Sequence, residues 1–150
     1  MDRRLEFAIV AAATLCCFGL ALPAGADDRA AASPTAAREK VIFQVSDADP
    51  SKWSLALNNA KNVQDDVGAS NADVEIVAYG PGIGMLRMES VVAGRVGDAI
   101  KSGVKVVACE NTMRAHKLTR EDMLASIGFV KAGVVELMRR QREGYAYIRP

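Results

Sequence analysis

The run Gly103-Val104-Lys105-Val106-Val107-Ala108-Cys109-Glu110-Asn111-Thr112-Met113 decides the fold. Its first half is short, apolar and valine-rich, as a strand buried on both faces requires. At Cys109 the composition turns polar and helix-prone. The spacing predicts a strand over residues 104–108 and a short helix over 112–115, with the cysteine at the junction. A thiol at the carboxyl end of a buried strand, beside a helix start, can meet oriented backbone N–H groups that favour the thiolate.

The same alternation extends upstream. Residues 41–45 (Val-Ile-Phe-Gln-Val) read as a first strand, ended by Ser46, Asp47 and Asp49. Asp49 followed by Pro50 is a helix start. Trp53, Ala56, Leu57, Ala60, Val63 and Val67 then recur at intervals of three and four, one apolar stripe that Gly68 can terminate. Residues 74–79 form a second strand, 80–84 (Gly-Pro-Gly-Ile-Gly) a turn-rich loop, and 92–102 a helix closed by Gly103.

Downstream, Thr119 with Asp122 carries a capping-box-like pattern. Residues 127–130 form a short fourth strand. Residues 133–142 form a helix that groups Val134, Val135 and Met138 on one face, and 145–148 a last strand. Strands alternating with helices specify an α/β domain whose sheet of about five strands is mostly parallel, with helices on both faces. Such sheets build their sites outside the carboxyl ends of the strands. Three loops should therefore converge: the one after residue 45, the glycine loop and the Cys109 junction.

The amino terminus reads differently. Arg3 and Arg4 precede an apolar run over residues 7–22, and Ala24-Gly25-Ala26 follows. This is the pattern of a secretory signal peptide, residues 1–26, cleaved between Ala26 and Asp27. The alternative is an uncleaved anchor, but the run is shorter than the ~20 residues a spanning helix needs. Leu15 before Cys16 does not suit lipid attachment. Residues 27–39, rich in Ala with Ser33 and Pro34, read as a disordered linker, leaving residues 40–150 as one domain. The expected location is periplasmic or secreted, with no stable membrane anchor after cleavage.

Cleavage at this point removes Cys16 and Cys17 and leaves one thiol, Cys109. The leader carries two charges of each sign, so the formal net charge of +1 is unchanged. That near balance gives no footing for nucleic acid. A single cysteine excludes an intramolecular disulfide, and a free thiol is unusual in an oxidising compartment.

Candidate site residues follow from the converging loops: Cys109 as the reactive group, with Asp47, Gly82, Gly84, Asn111 and Thr112 lining it. Cys109 also admits a bland role, as a small buried hydrophobe finishing a strand. His116 could in principle pair with the thiol, but it sits among Arg114, Lys117 and Arg120 and reads as a surface residue. No metal or cofactor is expected. The glycine loop lacks the Lys and Ser/Thr of a P-loop, so its glycines read as conformational. Asp49 is explained by capping, whereas Asp47 would raise the thiol pKa if close. Met85, Leu86, Met88, Val91 and Val92 form a dense apolar patch, either core or subunit interface.

Four stretches together resemble the DsrE/DsrF-like proteins, which include sulfur-relay and sulfur-oxidation components. They are residues 40–45 (Lys-Val-Ile-Phe-Gln-Val), 79–84 (Tyr-Gly-Pro-Gly-Ile-Gly), 103–113, and the ending from Gly133 through Pro150. The resemblance covers about residues 40–150. It implies a flavodoxin-like layered fold, a homo-oligomer (trimer or hexamer), and a persulfide-carrying role where a cysteine occupies this strand end. Only Cys109 carries that role over. The expected function is a sulfur carrier or sulfurtransferase-like protein, exchanging sulfur with a small sulfur compound or a donor or acceptor protein. The alternative is a non-catalytic oligomeric binding module with a structural or metal-binding cysteine. Without a second cysteine, transfer needs a partner molecule or another subunit.

Overall fold

The computed structural model describes residues 38–150. The expected signal peptide, and the linker as far as residue 37, lie outside the described residues. The chain order is β1 (Glu39–Val45), α1 (Pro50–Val67), β2 (Ala72–Ala78), a 3₁₀ segment (Gly80–Leu86), α2 (Ala93–Lys101), β3 (Lys105–Cys109), α3 (Glu110–Ala115), a 3₁₀ turn (Arg120–Asp122), β4 (Gly128–Val130), α4 (Gly133–Arg142) and β5 (Ala146–Ile148). The five strands form one sheet in the order β4-β3-β2-β1-β5. Every neighbouring pair is parallel. This is the layered α/β architecture of a flavodoxin-like domain.

Strand order and core composition place the helices. The connections β1–α1–β2, β2–α2–β3 and β3–α3–β4 step in one direction across the sheet, and only β4–α4–β5 crosses back to the far edge. The larger core joins Phe43, Ile76 and Ala108 of the sheet to Trp53 and Leu57 of α1, Val96 of α2 and Met113 of α3. A smaller core on the opposite face joins Ile42 and Val77 to Leu137 of α4 and to Tyr145. One face thus carries three helices and the other carries one.

Local chemistry sets the helix limits. The Asp49 carboxylate accepts from the Ser51 N–H at 2.8 Å, and Pro50 supplies a first residue that needs no donor partner. Gly68 ends α1 at φ +86°, a conformation side chains resist. Between them Trp53, Ala56, Leu57 and Ala60 are buried in the apolar stripe, while Val63 and Val67 are half-buried at its margin. Burying each large side chain contributes roughly 1.5–3 kcal/mol, so this face rather than helix propensity holds α1 in place.

Three expectations need adjustment. The glycine loop is not an irregular turn but the start of a 3₁₀ segment that runs on to Leu86 and buries Ile83, Met85 and Leu86. The apolar patch around it splits. Met85, Leu86 and Val92 belong to the core, whereas Met88 and Val91 are 63% and 79% exposed. The Thr119–Asp122 box forms, but it caps a single 3₁₀ turn rather than an α-helix.

The face of α4 that carries Val134, Val135 and Met138 points outward, with these residues 52%, 48% and 51% exposed. Its inner face is Gly133, Glu136, Leu137 and Arg140. The reason lies in the sheet. Glu75 of β2 is fully buried beneath α4 and needs a cation, which Arg140 supplies at 2.8 Å. Arg140 also meets Glu136 at 3.0 Å and Glu143 at 3.0 Å, so one guanidinium organises three carboxylates.

Candidate functional site

Cys109 is the last residue of β3 and stands beside Val130, the last residue of β4. The chain leaves β3 for α3 on the three-helix face and leaves β4 for α4 on the other. The gap between these two strand ends is therefore where the crossovers diverge, the place where open α/β sheets bind ligands. Local sequence puts the thiol there: Val106 and Ala108 fill the larger core, so the alternation of the pleat turns Val107 and Cys109 toward α4.

Backbone and side-chain hydrogen bonds tie the strand-end loops together. The Gly80 N–H donates to the Thr112 hydroxyl at 2.9 Å, joining the β2 loop to α3. The Gly82 N–H donates to the Ser46 carbonyl at 3.2 Å, joining it to the β1 loop. The Asn111 N–H donates to the Lys131 carbonyl at 3.2 Å, linking α3 to the segment before α4. Asp47 sits at the rim, its carbonyl accepting from the Trp53 indole at 2.7 Å and its carboxylate 3.5 Å from Arg149.

The residues expected to line the thiol separate into two groups. Asn111 and Thr112 lie against it. Gly82 and Gly84 instead pack the 3₁₀ segment onto its neighbours: a Cβ on Gly82 would lie 2.4 Å from the Val45 carbonyl oxygen, and one on Gly84 3.1 Å from the Trp53 ring. Gly82 is the position where close backbone approach demands glycine. Asp47 belongs with Arg149 and Tyr79 at the outer edge. His116 is exposed and follows the far end of α3, away from the thiol.

Cys109 is 5% exposed. Burial pushes its thiol pKa up, and this is the largest single influence. The Thr112 hydroxyl and the N–H groups of Gly133, Thr112 and Asn111 act in the opposite direction and together outweigh it, so the net direction is down. Because the Thr112 oxygen accepts from Gly80, its proton is free to point at the sulfur, and each bond in such a chain strengthens the next.

Thr112→Val removes that hydroxyl while keeping the shape of the side chain. A hydrogen bond to a charged group contributes about 1.5 kcal/mol or more, worth roughly tenfold in the fraction of thiolate. The rate of Cys109 alkylation by chloroacetamide at pH 7 should fall by about that factor, with the midpoint of its pH profile moving upward. An unmoved midpoint would remove Thr112 from the set of groups that activate the thiol.

Two further residues belong to the site and escape a reading of the sequence alone. Ala78 of β2 is in register with Ala108 of β3, so Tyr79 and Cys109 leave adjacent strand ends on the same side of the sheet. Gly133, the first residue of α4, lies against both: a Cβ there would meet the Tyr79 ring at 3.1 Å, and its N–H favours the Cys109 thiolate. Burial holds the Tyr79 phenol above the usual tyrosine range, Tyr147, Asp47 and Cys109 add to this, and Arg149 opposes it. The signal for Tyr79 was its parity with Cys109 at a strand end, which becomes readable only once β2 and β3 are known to be neighbours.

A cleft of about 500 Å³ runs between the end of β4 and α4, lined by Asn111, Phe129, Val130, Lys131, Val135 and Arg139. Asn111 and Val130 are neighbours of Cys109, one along the chain and one across the sheet. Among the described residues, no cluster of three or more His, Cys, Asp or Glu side chains is arranged to hold a metal ion.

Comparison with known proteins agrees with this architecture. Residues 39–150 match the model of the DsrE/DsrF-like family. The chain is similar to a solved protein of unknown function from Methanobacterium thermoautotrophicum, MTH1491, at 37% identity and a TM-score of 0.71. That match covers 75% of this chain and 99% of the other. A conserved protein of unknown function from Bacteroides thetaiotaomicron, BT1422, shares the fold at 12% identity and a TM-score of 0.58, covering 75% of this chain and 95% of that one. No curated protein matches. With the family model spanning every strand from β1 to β5, the chain belongs to the DsrE/DsrF-like family.

Proposed function

We propose that this domain is a sulfur carrier in which Cys109 accepts sulfane sulfur as a persulfide and passes it to a partner. Family membership supports a sulfur-relay role in general terms. The observation that carries the finer reading is the position of Cys109 at the β3–β4 divergence, where hydroxyl and N–H donors from two elements outweigh burial and favour the thiolate. A structural cysteine has no need of such a setting. With no second cysteine among the described residues, the acceptor is a thiol or small sulfur compound outside this domain. Polysulfide treatment of the purified protein, followed by peptide mass mapping, is expected to add one sulfur atom at Cys109. Absence of that mass gain ends the carrier reading.

The second reading, an oligomeric binding module with a structural Cys109, has one observation in its favour, the low exposure of the thiol. Alkylation separates the two, since a carrier cysteine reacts quickly near neutral pH and a structural one does not. The proposal places the mature protein outside the cytoplasm, in keeping with the pattern of residues 1–26, and includes assembly into a trimer or hexamer. The outward apolar residues Val134, Val135 and Met138 of α4 support assembly, because grouped exposed apolar side chains mark interaction surfaces. Sedimentation at micromolar concentration should reveal a species of three or more subunits, and a clean monomer would refute this part.

A further inference from the structure

We infer that the outer face of α4 and the β4–α4 cleft of one subunit receive the exposed Met88–Val91 stretch of a second copy of this chain, an inference that rests on the assembly reading and is independent of the chemistry at Cys109. The contact is head-to-tail, and it closes the assembly into a ring.

Met88 and Val91 are 63% and 79% exposed, although Leu86 and Val92 on either side are buried in the larger core. The stretch is fixed in place: the Met88 N–H donates to the Asp122 carbonyl at 3.0 Å, and Arg87 bridges to Met123. These contacts bring the 3₁₀ turn alongside, so Glu121 and Asp122 stand near Met88, and Glu89 follows it in the chain. Arg87 is engaged by Glu89 at 2.6 Å and Arg120 by Glu110 at 2.9 Å. Glu121 forms no ion pair among the described residues. The result is an apolar knob with an acidic margin.

The outer face of α4 offers the complement. Val134, Val135 and Met138 face outward, and the cleft of about 500 Å³ beside them has Phe129, Val130 and Val135 in its lining. An apolar cavity of about 150 Å³ already takes a benzene-sized group, so this cleft has space for the side chain of Met88, whose unbranched thioether adapts to irregular gaps. Arg139 and Arg140 are held by carboxylates of their own subunit. Lys131 and Arg142 are exposed and form no ion pair among the described residues, which gives this surface a basic margin.

Within one subunit the two surfaces cannot meet. The acidic stretch is anchored through Leu86 and Val92 in the larger core, and α4 through Leu137 in the smaller core on the opposite face of the sheet. A two-fold pairing of α4 with itself would set Lys131 and Arg142 against the same cations, and like-charge contact opposes association. Joining the acidic surface of one copy to the basic surface of the next satisfies both. A head-to-tail contact generates a ring when its rotation closes, which suits a trimer and not a two-fold dimer.

Sedimentation of two variants, alone and mixed, tests the contact. Met88→Asp removes the knob and keeps the cleft, and Val135→Asp does the reverse. Each alone should lose assembly, its dissociation constant raised roughly tenfold or more, while an equimolar mixture should form a 1:1 complex through its single intact contact. Val91→Asp and Met138→Asp take their places where either variant fails to fold. Glu121→Lys should weaken assembly several-fold, and adding Lys131→Glu in the same chain should restore it. An oligomer unaffected by these substitutions, a mixture that stays monomeric, or a Met88→Asp protein that assembles normally while Val135→Asp does not, overturns the inference and leaves the assembly reading intact. A wild-type protein that sediments as a clean monomer overturns the assembly reading and this inference with it.

Discussion

Cys109→Ser is expected to abolish sulfur loading: after polysulfide treatment the peptides spanning residue 109 should retain their unmodified mass. A serine hydroxyl does not ionise near neutral pH and forms no persulfide, so the loss is complete rather than graded. Serine is close to cysteine in size and faces the same donors, Thr112 and the N–H groups of Asn111 and Gly133, which a hydroxyl oxygen accepts. Thermal midpoints of the two proteins should therefore lie within a few degrees, a shift corresponding to about 1 kcal/mol or less. Sulfur still arriving at these peptides in the serine variant would show that polysulfide reacts there without a thiol, and the carrier reading would lose its central residue. Because Cys109 is the free cysteine of the described domain, no second thiol within it could rescue the activity.

Where the outcome depends on neighbours in sequence, the chain is legible. Both ends of α1 follow from Asp49-Pro50 and Gly68, because caps and terminators act within a few residues. The five runs read as strands mark the five strands of the sheet, and the change of character at Cys109 places it at a strand end. What could not be read is whatever depends on which strand lies beside which. Tyr79 is one residue past β2, and nothing in its own stretch of sequence separates it from Tyr145 or Tyr147. Its relation to the thiol exists only through the β2–β3 register.

The same reasoning explains α4. Its apolar residues Val134, Val135 and Met138 suggest one buried side by composition, yet the structure turns Glu136 and Arg140 inward to meet Glu75. Glu75 lies in an alternating strand where its charge would normally signal the solvent side. It is buried because α4 crosses that part of the sheet, a fact of topology that no local pattern encodes. Gly82 is the intermediate case: glycine at that position is visible in sequence, but the Val45 carbonyl that excludes a side chain is 37 residues away in the chain.

Arg140→Leu carries the largest expected cost in stability. Glu75 is fully buried, and Arg140, itself less than a quarter exposed, is its cation at 2.8 Å. Removing one member of a buried pair leaves the other charge uncompensated, which costs about 3–5 kcal/mol, against a total of roughly 5–15 kcal/mol for a domain of this size. Leucine keeps the helix propensity and much of the volume, so the loss reports charge rather than packing. The variant also gives up the stacking of the guanidinium over the Tyr145 ring, 5.3 Å from its centroid.

The pH dependence fixes the cause. Burial holds the Glu75 carboxyl above the usual range in the folded protein, with Arg140 opposing that rise and Glu136 adding to it. Without Arg140 the folded-state pKa rises further. A carboxyl whose folded pKa lies above its unfolded value costs nothing below the unfolded value, where it is protonated in both states, and costs progressively more as pH climbs toward the folded value. The deficit of Arg140→Leu should therefore be largest at neutral pH and shrink as pH falls toward the ordinary carboxylate range near 4.3, measured by urea unfolding at a series of pH values. Adding Glu75→Leu to Arg140→Leu removes the orphaned charge and should restore most of the loss at pH 7, since a buried pair replaced by apolar side chains is often close to neutral. A deficit that is independent of pH, or one that the double variant does not relieve, would mean that α4 is held to the sheet by its apolar contacts and not by this pair. If the pair does hold it, the consequence reaches the thiol. Gly133 opens the same helix, so a loosened α4 withdraws an N–H from Cys109, and the alkylation midpoint of the single variant should move to higher pH.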